Sequence, residues 1–159
     1  PADGPWYYQQ IELGYNYRMT DMQAALGVSQ MQRLDKYVTK RHELSERYNE
    51  MLKNLPITLP WQSEDSYSGL HLYVIRLQLG KISKTHLEVF NGMREAGISV
   101  NLHYIPVHLQ PYYQEMGFKE GDFLEAEQYY KEAISLPMFP TMTEEQQNQV
   151  VSILKELLA

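Results

Sequence analysis

Leu13-Gly14-Tyr15-Asn16-Tyr17-Arg18-Met19-Thr20-Asp21-Met22-Gln23-Ala24-Ala25-Leu26-Gly27 is the stretch on which the reading of this chain turns. Gly14 punctuates the chain. Thr20, followed three residues later by Gln23, is a capping box, and Asp21 places an acidic side chain in the first turn. A helix is therefore expected from Asp21, with Met22, Ala25, Leu26 and Met31 on its inner face. Asn16 and Arg18 stand just before the positive end of that helix, where side-chain donors and the helix dipole together suit an anion. The same residues also fit a plain loop, in which Asn16 turns the chain and Arg18 pairs with Asp21 or Glu12.

Upstream, Trp6 to Leu13 is aromatic and partly alternating, as in a strand or an extended arm. The opening Pro1-Ala2-Asp3-Gly4-Pro5 reads as an extended loop joined to something before it. Downstream, Leu34, Tyr37, Val38, Leu44, Tyr48, Met51 and Leu52 recur at helical spacing, so a second helix is expected over 34–52. Its other face is charged, and Asn54-Leu55-Pro56 ends it. Residues 60–70 read as a polar loop. His71 to Leu79 alternates as a strand does, with Tyr73, Ile75, Leu77 and Leu79 on one face. Ser83 or Thr85 caps a helix that carries Leu87, Phe90 and Met93 inward and stops at Gly97.

A strand is expected from Ile98 to about Tyr104, with Ser99, Asn101 and His103 sharing one face. It runs into Ile105-Pro106-Val107-His108-Leu109-Gln110-Pro111, where the prolines forbid a regular ladder. Short helices over 111–116 and 124–133, a short strand over 134–137 and a helix opened by the capping box Thr143 to Gln146 complete the chain. The fold class is α+β: a small mixed or antiparallel three-stranded sheet with helices packed on one face. His103 and His108 suggest recognition of an anion or a hydroxyl, or plain hydrogen-bonded structural histidines. No third ligand of suitable type lies close by in sequence, so no metal site is expected.

Bulk properties bound the function. The 159 residues fit one domain or the tail of a larger one, and 43% hydrophobic with 21% charged residues is ordinary for a globular protein. The net charge of −6 argues against a nucleic-acid partner, which needs a basic face. No run approaches a membrane span, and no secretory leader pattern opens the chain. The absence of cysteine excludes disulfides and cysteine–zinc sites and fits a cytoplasmic protein. Glycine-rich phosphate loops and nucleophile elbows are absent too.

Residues 13–34 resemble the signature of the DegT/DnrJ/EryC1/StrS family, pyridoxal-phosphate (PLP) aminotransferases acting on nucleotide-linked keto sugars. The resemblance extends to Arg41, Tyr48 and Asn49, to His103-Tyr104-Ile105-Pro106-Val107-His108 with Gln110-Pro111-Tyr112, and to Leu136-Pro137-Met138-Phe139-Pro140. Asp3-Gly4-Pro5-Trp6-Tyr7-Tyr8 looks most like the branch that aminates C4 of a UDP-linked 4-keto-6-deoxy-N-acetylhexosamine on the way to pseudaminic acid.

The resemblance implies the C-terminal part of an aspartate-aminotransferase-like fold. Residues 1–19 would be a linker and active-site loop, and 20–159 the small domain. By that likeness Asn16 would donate to the PLP phosphate of a neighbouring subunit in a homodimer. Arg18 would meet the carboxylate of the amino donor, glutamate, or a phosphate of the sugar nucleotide, with Tyr15 beside it. His103, Tyr104 and His108 would line the sugar-nucleotide side. None of the eight lysines lies in a match to the family's Schiff-base motif, so no catalytic residue is expected here and the chain alone is expected to be inactive. Two rivals remain open: a PLP-dependent sugar dehydratase of the same family, and a non-catalytic binding or oligomerisation module.

Overall fold

The computed structural model describes residues 9–15 and 17–159. The chain forms two compact units, 1–35 and 36–159.

In the first unit, the capping box is formed as expected. Thr20 Oγ1 accepts from the Gln23 backbone N–H, and Gln23 Oε1 accepts from the Thr20 N–H. These bonds satisfy donors that a helix start leaves orphaned. The helix α1 they open spans Asp21–Met31. Its expected inner face is a correction: no α1 residue is buried, and Met22, Leu26 and Met31 are 83%, 61% and 66% exposed. Apolar periodicity marks a face that suits a partner, and no described residue of this unit covers it. Residues 9–13 form no strand, and Trp6 to Tyr8 of the expected arm lie outside the described residues.

Helix α2 spans Leu34–Leu52 and supplies most of the second unit's first wall. Its buried residues Leu44, Tyr48 and Leu52 recur at intervals of four, the spacing that stacks side chains on one helix face. They join Val89 and Met93 of α3 (His86–Glu95) and Val150, Val151, Leu154 and Leu158 of α6 (Glu144–Leu158) in one hydrophobic core. Each such fully buried side chain contributes about 1.5–3 kcal/mol. Capping boxes at Thr85 with Glu88 and at Thr143 with Gln146 start α3 and α6. Two short helices, α4 (Pro111–Glu115) and α5 (Leu124–Glu132), carry the connection between α3 and the last strand.

The sheet is three-stranded and antiparallel, in the order β1 (Ile57–Thr58), β2 (Tyr73–Leu77), β3 (Ala133–Leu136). Ile57 faces Leu77, Tyr73 faces Leu136 and Ile75 faces Ile134, so these six side chains share the face turned to the helical core. Val74, Arg76, Ala133 and Ser135 occupy the opposite face. The α+β class holds, with one strand exchanged for another. β1, two residues long, was not anticipated. The strand expected over 98–104 is reduced to a single bridge between Asn101 and Ser135. After the hydrogen-bonded Asn101–Ser135 pair the next rung would use the Ala133 carbonyl, and that oxygen is held by His86 Nε2 at 2.9 Å instead. Ile98 and Val100 are buried, whereas Tyr104 is 73% exposed.

Arg41, Tyr48 and Asn49 turn out to be framework residues. Arg41 Nη1 donates to the carbonyls of Leu70 and His71 at 3.0 and 2.9 Å, fixing the entry to β2. Tyr48 donates to the Pro137 carbonyl at 2.9 Å, and Tyr73 donates to Asn49 Oδ1 at 2.6 Å. The two tyrosine rings pack with centroids 4.8 Å apart, and burial pushes both phenols well above the ordinary tyrosine range.

Candidate functional site

Each unit presents one candidate surface. In the first, the segment leading to α1 is exposed. Tyr15 and Tyr17 stand 86% and 90% exposed, with rings stacked at 5.5 Å and 18°. Asn16, between them, lies outside the described residues. Arg18 is exposed and forms an ion pair with neither Asp21 nor Glu12. Its guanidinium is therefore available two residues before the N-cap of α1, and its planar fork suits a carboxylate or a phosphate.

In the second unit the site is built around the Asn101–Ser135 bridge. Ser135 N donates to Asn101 O at 2.8 Å, and Asn101 N donates to Ser135 O at 3.3 Å. The bridge anchors the outgoing segment at the outer edge of β3. Two residues on, the His103 ring lies between two polar side chains. Its Nδ1 is 2.7 Å from Ser135 Oγ and its Nε2 is 3.2 Å from Asn101 Nδ2. Tyr104 stands edge-on to that ring at 4.8 Å and points outward. Asn101 and His103 thus share a face, as the alternation predicts, although no strand carries them.

His108 is placed differently. It sits in a 3-10 turn over Val107–Leu109 and is only 7% exposed. Its Nε2 lies 2.9 Å from Glu127 Oε1, and the same oxygen accepts the Gly121 N–H at 2.8 Å. Phe123 packs over its ring at 4.8 Å. The hydrogen bond from His108 is the main cause holding the Glu127 carboxyl below its ordinary value, opposed by desolvation and helped by the Gly121 N–H. Beside this pair lies an apolar cavity of about 350 Å³, walled by Pro106, Val107, Tyr113, Phe118 and Phe123. His108 therefore acts on its surroundings through the position it gives to residues 105–107.

The expected site residues divide accordingly. Tyr15 and Arg18 belong to the first unit, while His103, Tyr104 and His108 belong to the second. Sequence reading missed Asn101, Ser135 and Glu127 as site residues. Asn101 could have been found from its shared face with His103; Ser135 and Glu127 are brought in by β3 and α5, 32 and 19 residues downstream of their partners, and carry no local signal. Among the described residues no cluster of histidines and carboxylates could hold a metal ion, and no helix is long and apolar enough to cross a membrane.

Comparison with known proteins is consistent along the whole chain. The DegT/DnrJ/EryC1/StrS aminotransferase family matches residues 2–155. The spore coat polysaccharide biosynthesis protein SpsC of Bacillus subtilis is 36% identical over 160 residues, an overlap covering 99% of this chain and 41% of that protein. Spr1654 of Streptococcus pneumoniae in its PMP form superposes with a TM-score of 0.87 at 25% identity, covering 96% of this chain and 38% of that one. PseC of Helicobacter pylori, an aminotransferase involved in the biosynthesis of pseudoaminic acid, shares the fold with a TM-score of 0.86 at 23% identity, over 99% of this chain and 42% of that one. The chain thus spans about two fifths of the length of the relatives it matches.

Proposed function

Because the chain belongs to the DegT/DnrJ/EryC1/StrS aminotransferase family, we propose that the complete protein is a PLP-dependent aminotransferase acting on a nucleotide-linked keto sugar for a surface polysaccharide. The family match from residue 2 to residue 155 carries this reading, and the exposed, unpaired Arg18 beside the start of a capped helix supports it. The finer reading follows the N-terminal motif: the amine goes to C4 of a UDP-linked 4-keto-6-deoxy-N-acetylhexosamine, from glutamate, in the cytoplasm.

The groups on this chain fit one side of a PLP site and not its anchor. All eight lysines are exposed or half-exposed, and none is buried as a Schiff-base lysine would be. PLP, when bound, supplies the electron sink that makes amino transfer possible. What this chain contributes is positioning. Asn16 donates a neutral hydrogen bond toward the cofactor phosphate of a second subunit. Arg18 and Tyr15 meet the donor carboxylate or a substrate phosphate, with Arg18 as the bidentate clamp. His103 and Tyr104 border the sugar side, and His108 holds that border in place from beneath. No residue here moves a proton in the reaction.

The test is direct. The complete gene product, supplied with PLP, glutamate and a UDP-linked 4-keto-6-deoxy-N-acetylhexosamine, releases 2-oxoglutarate and an amino sugar in equal amounts. Loss of water from the sugar with no amine formed would replace transamination by dehydration. No PLP absorbance band in the complete protein would leave the binding-module reading in its place.

A further inference from the structure

The hydrogen bonds around His103 determine which atom of this surface is free to meet a substrate. The Asn101 amide is oriented by its own chain, since Oδ1 accepts the Leu102 N–H at 2.8 Å. An amide turned the other way would set its NH2 against that N–H, two donors face to face. The atom 3.2 Å from His103 Nε2 is therefore Nδ2, a donor. Nε2 must accept, so it carries no hydrogen, and the ring proton lies on Nδ1. From there it donates to Ser135 Oγ at 2.7 Å. Ser135 is 5% exposed, and its backbone is locked to Asn101 by the paired bridge.

Both nitrogens of His103 are consumed inside the protein. The Ser135 hydroxyl keeps its own hydrogen but is buried, so the free polar hydrogen on an exposed side chain of the group is the second N–H of the Asn101 amide. We propose that Asn101 is the hydrogen-bond donor to the sugar on this surface and that His103, backed by Ser135, is the positioning residue that aims it. The hydrogen-bonded neighbours of this amide are a neutral imidazole and a hydroxyl, with no cation among them to balance a phosphate, so the donor suits a hydroxyl, keto or acylamino oxygen of the sugar. This inference rests on the aminotransferase reading above, and it transfers the direct contact from His103 to a residue two positions earlier.

Two measurements on the complete protein test it. Ring nitrogen-15 chemical shifts show His103 as the Nδ1–H tautomer; the Asn101→Asp variant, which offers an acceptor to Nε2, switches it to Nε2–H. Kinetically, Asn101→Ala raises KM for the nucleotide-linked keto sugar about tenfold, with a far smaller change in kcat and in KM for glutamate. His103→Gln retains most of the affinity, because its carbonyl can accept from Asn101, whereas His103→Phe matches Asn101→Ala. An Nε2–H tautomer in the wild type, or an active Asn101→Ala variant with unchanged sugar KM, overturns the proposal and leaves the aminotransferase reading standing. A wild type that transfers no amino group to any such sugar overturns that reading, and the sugar contact falls with it.

Discussion

One carboxylate oxygen of Glu127 lies 2.9 Å from His108 Nε2 and 2.8 Å from the Gly121 N–H, so a single buried side chain on α5 fastens both the turn after Pro106 and the loop before Phe123. The carboxylate is held below its ordinary value of 4.5, chiefly by the His108 hydrogen bond. A depressed carboxylate contributes stability that is fully present above the unfolded-state value and is lost as pH falls through the folded one. The expected result is a loss of stability below about pH 4.5 that is shallower in Glu127→Gln than in the wild type. Glu88 and Glu145, depressed at their own helix starts, keep part of that slope in the variant. Denaturation midpoints collected between about pH 3 and pH 7 check this; parallel curves would remove Glu127 from the acid response.

Arg18 precedes α1 with no carboxylate partner among the described residues, so replacing it costs the fold little and the site much. Arg18→Ala in the complete protein is expected to raise KM for glutamate or for the sugar nucleotide by about 10- to 100-fold, the range of a lost charge-assisted bond. Arg18→Lys should recover only part, because an ammonium does not reproduce the fork. The substrate whose KM rises identifies which anion Arg18 meets. Unchanged constants for both would take it out of the site.

Asn16 is expected to serve the cofactor rather than the sugar. Asn16→Ala in the complete protein should weaken PLP retention about tenfold, the loss of one neutral hydrogen bond, measured by dialysis against the cofactor's absorbance band. Full retention would assign the loop to substrate alone.

How far the fold could be read from sequence follows from where its determinants lie. The bounds of α2, Leu34 and Leu52, and the capping boxes at Thr20 and Thr143 are local, written within a few residues, and each is observed as expected. β1 escaped because two residues hold no period; its place is set by pairing with β2, including the bond from Gln78 N to Pro56 O at 2.9 Å. The strand over 98–104 was overread because alternation records which way side chains point. It does not record that the Ala133 carbonyl, which the next rung would need, is taken by His86 Nε2. The inner face of α1 was overread for a related reason, since apolar spacing shows that a surface wants cover and not where the cover is. Of the site, the histidines were legible and their partners were not, because Ser135 and Glu127 arrive from distant elements.

The exposed face of α1 carries its own prediction. Met22 and Leu26 are 83% and 61% exposed in this chain, so polar replacement should cost the chain less than about 0.5 kcal/mol, as at ordinary surface positions. If the face meets a second subunit, Met22→Gln with Leu26→Gln should weaken dimerisation of the complete protein by about 3–6 kcal/mol, the transfer free energy of two fully buried apolar side chains. Sedimentation over a concentration series measures the dimer constant, and thermal melts of the same variants measure the fold. A dimer constant that does not move assigns this face elsewhere.

Gly92 sets how closely α3 approaches α6. A Cβ at this position would lie 2.6 Å from Leu157 Cδ2 and 3.1 Å from Cδ1, inside van der Waals contact, so Gly92→Ala brings two opposed terms. Alanine favours the helix by about 0.8–1 kcal/mol, while the new methyl must displace a leucine end in a packed contact, at about 1–3 kcal/mol if nothing yields. The Leu157 side chain ends on a partly exposed face and can turn, which places the net effect near zero. The coupling is the sharper quantity. In a Leu157→Ala background the obstacle is gone, and Gly92→Ala should stabilise by the full propensity of about 1 kcal/mol. A double-mutant cycle from urea denaturation should therefore give an interaction energy of about 1 kcal/mol in favour of the pair. A cycle that closes at zero would mean that Leu157 or the helices yield at no cost, and that the Gly92 contact does not hold them at this distance.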